Sequence, residues 1–233
     1  TNLPASSHQR DSPLLRRVSS GVHPIPSGCT YHAFLTHTWQ KDEENRPTHD
    51  RVARVAAGLK ARGIHSWFDG ERMQDDVVDQ MIKGIHDSAV FVVFITKKYI
   101  DKVGSGNDAD NCRKEFTYAD RKKTAKMMIP VPMERCVGNP TSWVGPVGMS
   151  LGGLLYEASF CDDEEATFAK NLDNLAQQIL RKCRESEGSE GGEATVSATA
   201  TLTAVAAVPM ATATSASLPD EVATWLAQLD IDA

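Results

Sequence analysis

The apolar run at residues 89–95, Ala-Val-Phe-Val-Val-Phe-Ile, contains no polar side chain. A strand with one face toward solvent alternates apolar and polar residues, so a run without alternation indicates a strand that is covered on both faces. Strands of this kind occur in parallel sheets whose helical connections pack above and below the sheet. The run therefore predicts the central strand of an α/β fold.

On both sides of this run, short apolar segments alternate along the chain with amphipathic stretches. Further strands are predicted at 31–36, 64–68, 127–133 and 154–158, and helices at 48–62, 77–86, 111–123 and 164–183. Two prolines in 127–133 remove ladder donors, which places that strand near a sheet edge or makes it irregular. Five strands alternating with helices predict a flavodoxin-like, three-layer α/β sandwich with a five-stranded parallel sheet.

The two ends of the chain differ in composition from this central unit, which we expect to span 28–184. Residues 1–27 are rich in Ser, Pro and Arg and predict a disordered lead-in. Residues 185–217 are Gly/Ser/Glu-rich and then Ala/Thr/Val-rich, as in a low-complexity flexible linker. Residues 218–233 predict one amphipathic helix, with Val222, Trp225, Leu226 and Leu229 on one face.

Charge and cysteine content narrow the classes of partner and site. The net charge of −6 argues against a nucleic-acid partner, since such proteins carry an excess of Lys and Arg. The five cysteines are widely spaced without a CxxC pair, which predicts reduced thiols, no metal site and a cytoplasmic location. The side chains of the stretch 194–218 are too small and too polar to stabilise a membrane span. We therefore expect no membrane partner.

The sequence lacks the motifs of several enzyme classes that are built on similar sheets. A phosphoacceptor domain needs acidic residues where this chain has Thr96 and the pair Thr36-His37. No GxxxxGK[ST] or GxGxxG loop follows the first strand, and neither HExxH nor GxSxG occurs. The sequence therefore contains no recognisable phosphate loop, metal constellation or acyl-transfer triad.

Four motifs occur in consecutive order along the central unit. They are Phe34-Leu35-Thr36-His37-Thr38 with Asp42, Gly63-Ile64-His65-Ser66-Trp67-Phe68-Asp69, Gly84-Ile85-His86-Asp87-Ser88 running into Thr96 and Tyr99, and Cys112-Arg113-Lys114-Glu115-Phe116. Together they resemble the Toll/interleukin-1 receptor (TIR) domain family. The resemblance implies the TIR fold and a signalling role in an innate-immune or stress-type pathway. The tail after 218 resembles the first helix of a sterile alpha motif (SAM) domain, which implies self-association.

Two functions are known for this family, and the fold does not decide between them. In the first, TIR domains associate with one another through the loop after the second strand, with no cofactor required. Here that loop is Asp69-Gly70-Glu71-Arg72-Met73-Gln74-Asp75-Asp76. Its mixed charges and its glycine suit a polar docking surface, although a merely solvated loop has the same composition.

The second function is the cleavage of NAD at the nicotinamide–ribose bond, with NAD as substrate. The resemblance implies a catalytic Glu near the start of the second helix, but no Glu occurs between Glu71 and Glu115. Asp79 is then the candidate carboxylate, and its shorter side chain favours the docking function over catalysis.

The resemblance also suggests Thr36, Trp39 and Cys112 as residues that line an NAD pocket. Each has a simpler interpretation: Thr36 as the end of a strand, Trp39 as an exposed loop aromatic, Cys112 as a small core residue. Asp79 could likewise be a solvated helix residue.

Overall fold

A computed structural model describes residues 23–68, 77–123 and 125–190 of the chain. In these residues four parallel strands form one sheet in the order β2-β1-β3-β4. The strands are β1 Tyr31–Thr36, β2 Ser66–Phe68, β3 Ser88–Ile95 and β4 Met128–Pro132. The helices are α1 Thr48–Ala61, α2 Val77–His86, α3 Lys97–Gly104, α4 Asn111–Lys123, α5 Gly145–Leu151 and α6 Glu165–Glu190. The described part is thus an α/β fold with a parallel sheet, as predicted.

β3 is the central strand, and every one of its residues is buried. It pairs with β1, where Phe34 lies opposite Phe91, and with β4, where Val131 lies opposite Phe94. Side chains of a strand alternate between its two faces. In β3, Val90, Val92 and Phe94 accordingly pack on one face, and Phe91, Val93 and Ile95 on the other. The run without polar residues is therefore explained by helices on both faces.

The helices divide into two layers around the sheet. Apolar residues of α1 and α6 join the core on the face of Val92, while α2, α3, α4 and α5 contribute to the core on the face of Val93. The predicted three-layer sandwich is therefore confirmed. The short helices α3 and α5 were not predicted, because each has only two turns or so and shows little periodicity.

The predicted fifth strand at 154–158 is wrong, and β4 provides the reason. The amide of Met133 donates to the carbonyl of Ile95 at 2.9 Å, whereas the carbonyl of Pro132 points away from β3 and accepts from Phe160. By alternation, Pro130 faces outward as well. The outer edge of β4 therefore lacks amide donors at both prolines, and residues 154–158 pass it without forming a ladder.

Most predicted helix boundaries agree with the structure. α2 and α4 have the predicted bounds, and α1 begins at Thr48 and is stopped at Gly63, whose φ is +75°. The last helix continues beyond its predicted end at 183 to Glu190. The predicted docking loop 69–76 and the SAM-like tail lie outside the described residues. No helix among the described residues is both long and apolar enough to cross a membrane.

A buried carboxylate fastens the loop that follows β1. Asp42 accepts hydrogen bonds from Nε of Arg46 at 2.7 Å and from Nη1 of Arg51 at 3.0 Å. Arg51 also donates to the carbonyl of Met133, just after β4, at 3.1 Å. The loops that follow β1 and β4 are thereby joined at the carboxyl end of the sheet, where parallel α/β folds place their sites.

Candidate functional site

A cavity of about 340 Å³ opens at the carboxyl end of β1, and we call it the β1 pocket. Its lining comes from β1 and the following loop, from α3 and from α4. The lining residues are Leu35, His37, Trp39, Lys102, Asn107, Ala109, Asp110, Asn111, Cys112 and Glu115. Its volume falls in the range of small-molecule sites, and polar groups converge on it from three elements.

The carboxylate of Glu115 is the central polar group of the β1 pocket, and the residue is buried. It lies on α4 between Cys112 and Phe116 on the face that packs against the sheet. The hydroxyl of Thr36 donates to Oε2 of Glu115 at 2.5 Å. The hydroxyl of Tyr99 lies 3.3 Å from the Thr36 oxygen. Because Thr36 already donates its hydroxyl proton to Glu115, Tyr99 must be the donor in this second hydrogen bond. Glu115 is therefore held by a relay of two hydroxyl groups.

Burial determines the protonation state of Tyr99 and Cys112. Tyr99 is fully buried, which raises the pKa of its phenol well above the usual value, so it keeps its proton at neutral pH. Burial and the nearby Glu115 raise the pKa of Cys112 to about 12. Its thiol lies 3.5 Å from the carbonyl oxygen of His37 and donates to it. Cys112 is thus a protonated wall residue and not a thiolate nucleophile.

Stacked rings form one side of the pocket mouth. Trp39 is 56% exposed and stacks on His49 with ring centroids 3.8 Å apart. His49 Nδ1 lies 2.9 Å from Nε2 of His37, and both imidazoles stack on Phe68. Burial, with repulsion from His49, lowers the pKa of His37 to about 4. His37 is therefore neutral at pH 7, and the stack presents a flat aromatic surface.

An ion pair stands on the other side of the mouth. Nζ of Lys102 lies 2.9 Å from a carboxylate oxygen of Asp110. Partial burial opposes charge on both groups, but their mutual hydrogen bond prevails, raising the pKa of Lys102 and lowering that of Asp110. Asp110 also accepts from the amide of Cys112 at 2.9 Å and so caps α4. The pair therefore fixes the start of the helix that carries Glu115.

The structure brings three of the residues suggested by the sequence to this pocket. Trp39 and Cys112 line it, and Thr36 binds the carboxylate that lines it. Asp79 is exposed on α2 and is not among the lining residues. The docking residues 69–76 are not described, so that prediction stands as it was made.

Glu115 was not selected from the sequence, although it belongs to the motif 112–116. A signal was present, because Cys112, Phe116 and Ala119 define the apolar face of α4 and Glu115 falls on that face. An acidic residue at a core position of a helix is costly unless it is paired, and such residues are candidates for function.

One group of side chains in the described part of the chain has the make-up of a metal site. Ligand atoms of Glu43, Glu134 and Cys136 all lie within 4.8 Å of one another. Glu134 is buried and already accepts from the amides of Glu43 and Lys97 and from the Cys136 thiol at 3.0 Å. These contacts account for the carboxylate without an ion.

Comparison with known protein families identifies one whose model covers the residues of the β1 pocket. A family model described as TIR domain matches residues 34–172, which include β1, the loop 69–76 and Glu115. No curated protein matches the chain. A solved structure of a metazoan TIR-STING receptor from C. gigas is 14% identical, with a TM-score of 0.42. The alignment covers 70% of this chain and 43% of that one, so this chain spans less than half of the receptor's length.

Proposed function

This chain belongs to the TIR domain family, and we propose that it signals by cleaving NAD at the nicotinamide–ribose bond in the β1 pocket. The single observation that carries the proposal is the buried carboxylate of Glu115, held by Thr36 at a cavity of small-molecule size. Clustering of TIR domains, through loop 69–76 and the SAM-like tail, is the proposed means of activation.

The reaction requires a negative charge close to the ribose. The bond between C1′ and the nicotinamide nitrogen breaks with its electron pair on nicotinamide, which leaves positive charge on the sugar. Water then adds to C1′ and loses a proton, giving ADP-ribose. A fixed carboxylate stabilises the developing cation, as in glycoside hydrolysis. In this proposal Glu115 supplies that carboxylate, and Thr36 and Tyr99 act as positioning residues.

The reaction also needs a planar surface for the nicotinamide ring. The ring of Trp39 stacks on His49 with one face and is more than half exposed to solvent. Aromatic pairs prefer stacked arrangements with centroids some 4.5–7 Å apart. Nicotinamide stacked at the mouth would direct its ribose toward the interior of the pocket, where Glu115 lies.

The test is nicotinamide release by the full chain, immobilised at high density to force clustering. Glu115→Gln keeps the side-chain volume and removes the charge, so release should fall about a hundredfold to a thousandfold, the usual cost of losing one electrostatic stabiliser. Asp79→Asn is the matched control on α2, and it should retain activity.

Two results would contradict the assignment of Glu115. Activity that survives Glu115→Gln but is lost in Asp79→Asn would move the carboxylate to α2. No release by clustered wild-type protein, with folding confirmed by circular dichroism, would remove NAD cleavage altogether.

A docking function without catalysis is the second candidate, and the uncharged segment around α5 favours it. Residues 136–156 contain no charged side chain, and they expose Val144, Met149 (85%) and Leu155 (88%). Contiguous apolar surface that is exposed marks interaction sites, and this segment is the candidate for such a surface. If this segment binds a partner TIR domain, Met149→Ser with Leu155→Ser should weaken self-association in sedimentation experiments, whereas Lys60→Ser on α1 should not.

A further inference from the structure

A second cavity, of about 370 Å³, lies between α2 and α4, and we call it the α2–α4 cavity. Its floor is apolar and consists of Val78, Met81, Ile82 and Ile85 from α2. Val78 and Ile82 remain more than one-third exposed, so the floor is a shallow, open surface. Such a shape suits a flat ring better than a long alkyl chain, which requires an enclosed channel.

The wall that α4 contributes carries three cations and the carboxylate of Glu115. Arg113, Lys114 and Arg121 line the cavity together with Tyr118. Arg113 is engaged, since its Nε donates to Asp108 at 3.1 Å and its Nη1 to the carbonyl of Val103 at 2.7 Å. Lys114 and Arg121 make no salt bridge with any residue in 23–68, 77–123 or 125–190. Two cations beside an apolar floor therefore remain available to a ligand.

These two cations lie seven residues apart, so they are about 10 Å apart along the helix axis. Arg121 follows Tyr118 by three residues, which puts the two side chains next to each other on the helix surface. An arginine fork matches the geometry of phosphate, and the apolar floor formed by α2 lines the same cavity as Arg121. The cavity thus combines an apolar surface for a ring with a cation for an anion.

We propose that the α2–α4 cavity binds a nucleoside monophosphate, with its base on the floor formed by α2 and its phosphate at Arg121. The opposite charges of ligand and wall attract each other, and the apolar floor supplies the remaining affinity. This site is separate from the β1 pocket and goes beyond the proposed cleavage of NAD.

The two cavities share one lining residue. Glu115 lines both the α2–α4 cavity and the β1 pocket. A ligand in the α2–α4 cavity therefore lies beside a residue of the β1 pocket.

Direct binding tests the site without relying on NAD turnover. The full chain is titrated calorimetrically with AMP, adenosine, ribose 5-phosphate and inorganic phosphate in low salt. AMP should bind most tightly, and adenosine and ribose 5-phosphate about tenfold or more weakly, because each lacks one of the two contacts. Added salt should weaken the binding of AMP more than that of adenosine.

Substitutions locate the site. Arg121→Ala should weaken AMP binding about tenfold, and Ile82→Glu, at an exposed position of the floor, should abolish it. Lys60→Ala, on the far helix α1, is the control for charge, and Trp39→Ala is the control for the β1 pocket; both should bind AMP as the wild type does.

The proposal is wrong if none of the four probes binds at millimolar concentration. It is also wrong if AMP binds but Arg121→Ala and Ile82→Glu have no effect, or if Trp39→Ala alone removes binding. The last result would place the nucleotide in the β1 pocket. Because no turnover is measured, failure of NAD cleavage leaves this test unaffected.

Discussion

Asp42 is a buried residue that holds two arginines, and these arginines in turn donate to the carbonyl of Met133 after β4. We expect Asp42→Asn to lower the free energy of unfolding by about 3 kcal/mol, because two arginines then lose the buried anion that they share. Urea denaturation of the variant measures this loss. Asp101→Asn, which removes an exposed pair with Lys97, should leave stability nearly unchanged, because solvent screens that pair. Equal effects of the two substitutions would contradict the structural role of Asp42.

His37 makes stability depend on pH. Its pKa is about 4 in the folded protein and 6.5 for an ordinary histidine, so the unfolded state binds more protons between these two pH values. The contribution of His37 is complete above pH 6.5 and is lost as pH falls toward 4, by on the order of 3 kcal/mol. Urea denaturation at pH 7 and pH 4.5 should show a smaller loss for His37→Gln than for the wild type. His86→Gln, at an exposed histidine, should retain the wild-type loss.

The residues of the candidate site were predictable to different degrees. Thr36, Trp39 and Cys112 were suggested by the resemblance of their motifs to the TIR family, and the structure places all three at the β1 pocket. Glu115 was missed, because its relation to Thr36 joins positions 79 residues apart and only the packing of α4 reveals it. The role of Tyr99 depends on the same packing, since its hydroxyl reaches Thr36 across 63 residues of sequence.

At the level of elements, the approach of α2 to the sheet depends on Gly84. A methyl group on Gly84 would lie 2.7 Å from the ring of Trp67, which itself stacks on Phe34 at 4.3 Å. We expect Gly84→Ala to cost about 1–3 kcal/mol, despite the better helix propensity of Ala. Thermal denaturation measures the change. Replacement of Trp67 by Leu in the same chain should recover part of it.

Gly104 provides the matched control for that prediction. It lies at the end of α3, and nothing stands within 4 Å of a methyl group added there. Gly104→Ala should leave stability unchanged or raise it by up to about 1 kcal/mol. If both substitutions were neutral, close packing of α2 on Trp67 would not be required for stability.

Elements with strong periodicity were predicted almost to the residue, as α2 and α4 illustrate. α3 was missed because its eight residues leave little room for a pattern, although Thr96 caps it by accepting from the amide of Tyr99 at 3.0 Å. The fifth strand was predicted from an apolar stretch alone. Whether such a stretch becomes a strand depends on the donors that its neighbour offers, and β4 offers none at its prolines.

For the whole molecule, the tail after 218 is expected to drive assembly. Trp225→Asp in the full chain should remove the apolar face of that predicted helix and reduce self-association at micromolar concentration, as measured by sedimentation velocity. A tethered module raises the local concentration of its TIR domain, so clustering-dependent NAD release should fall together with association. Association that persists in Trp225→Asp would assign the assembly to surfaces of the TIR domain itself.

Crowding many copies of a sheet protein carries a hazard, because an open strand edge can recruit another chain and grow into an irreversible fibre. The outer edge of β4 presents proline rings in place of two amides, and at the opposite edge of the sheet β2 is only three residues long. Neither edge is a good template for an incoming strand. If copies of this chain associate as proposed, we expect the contacts between them to form through side chains and not through shared backbone ladders, so that the association can be reversed.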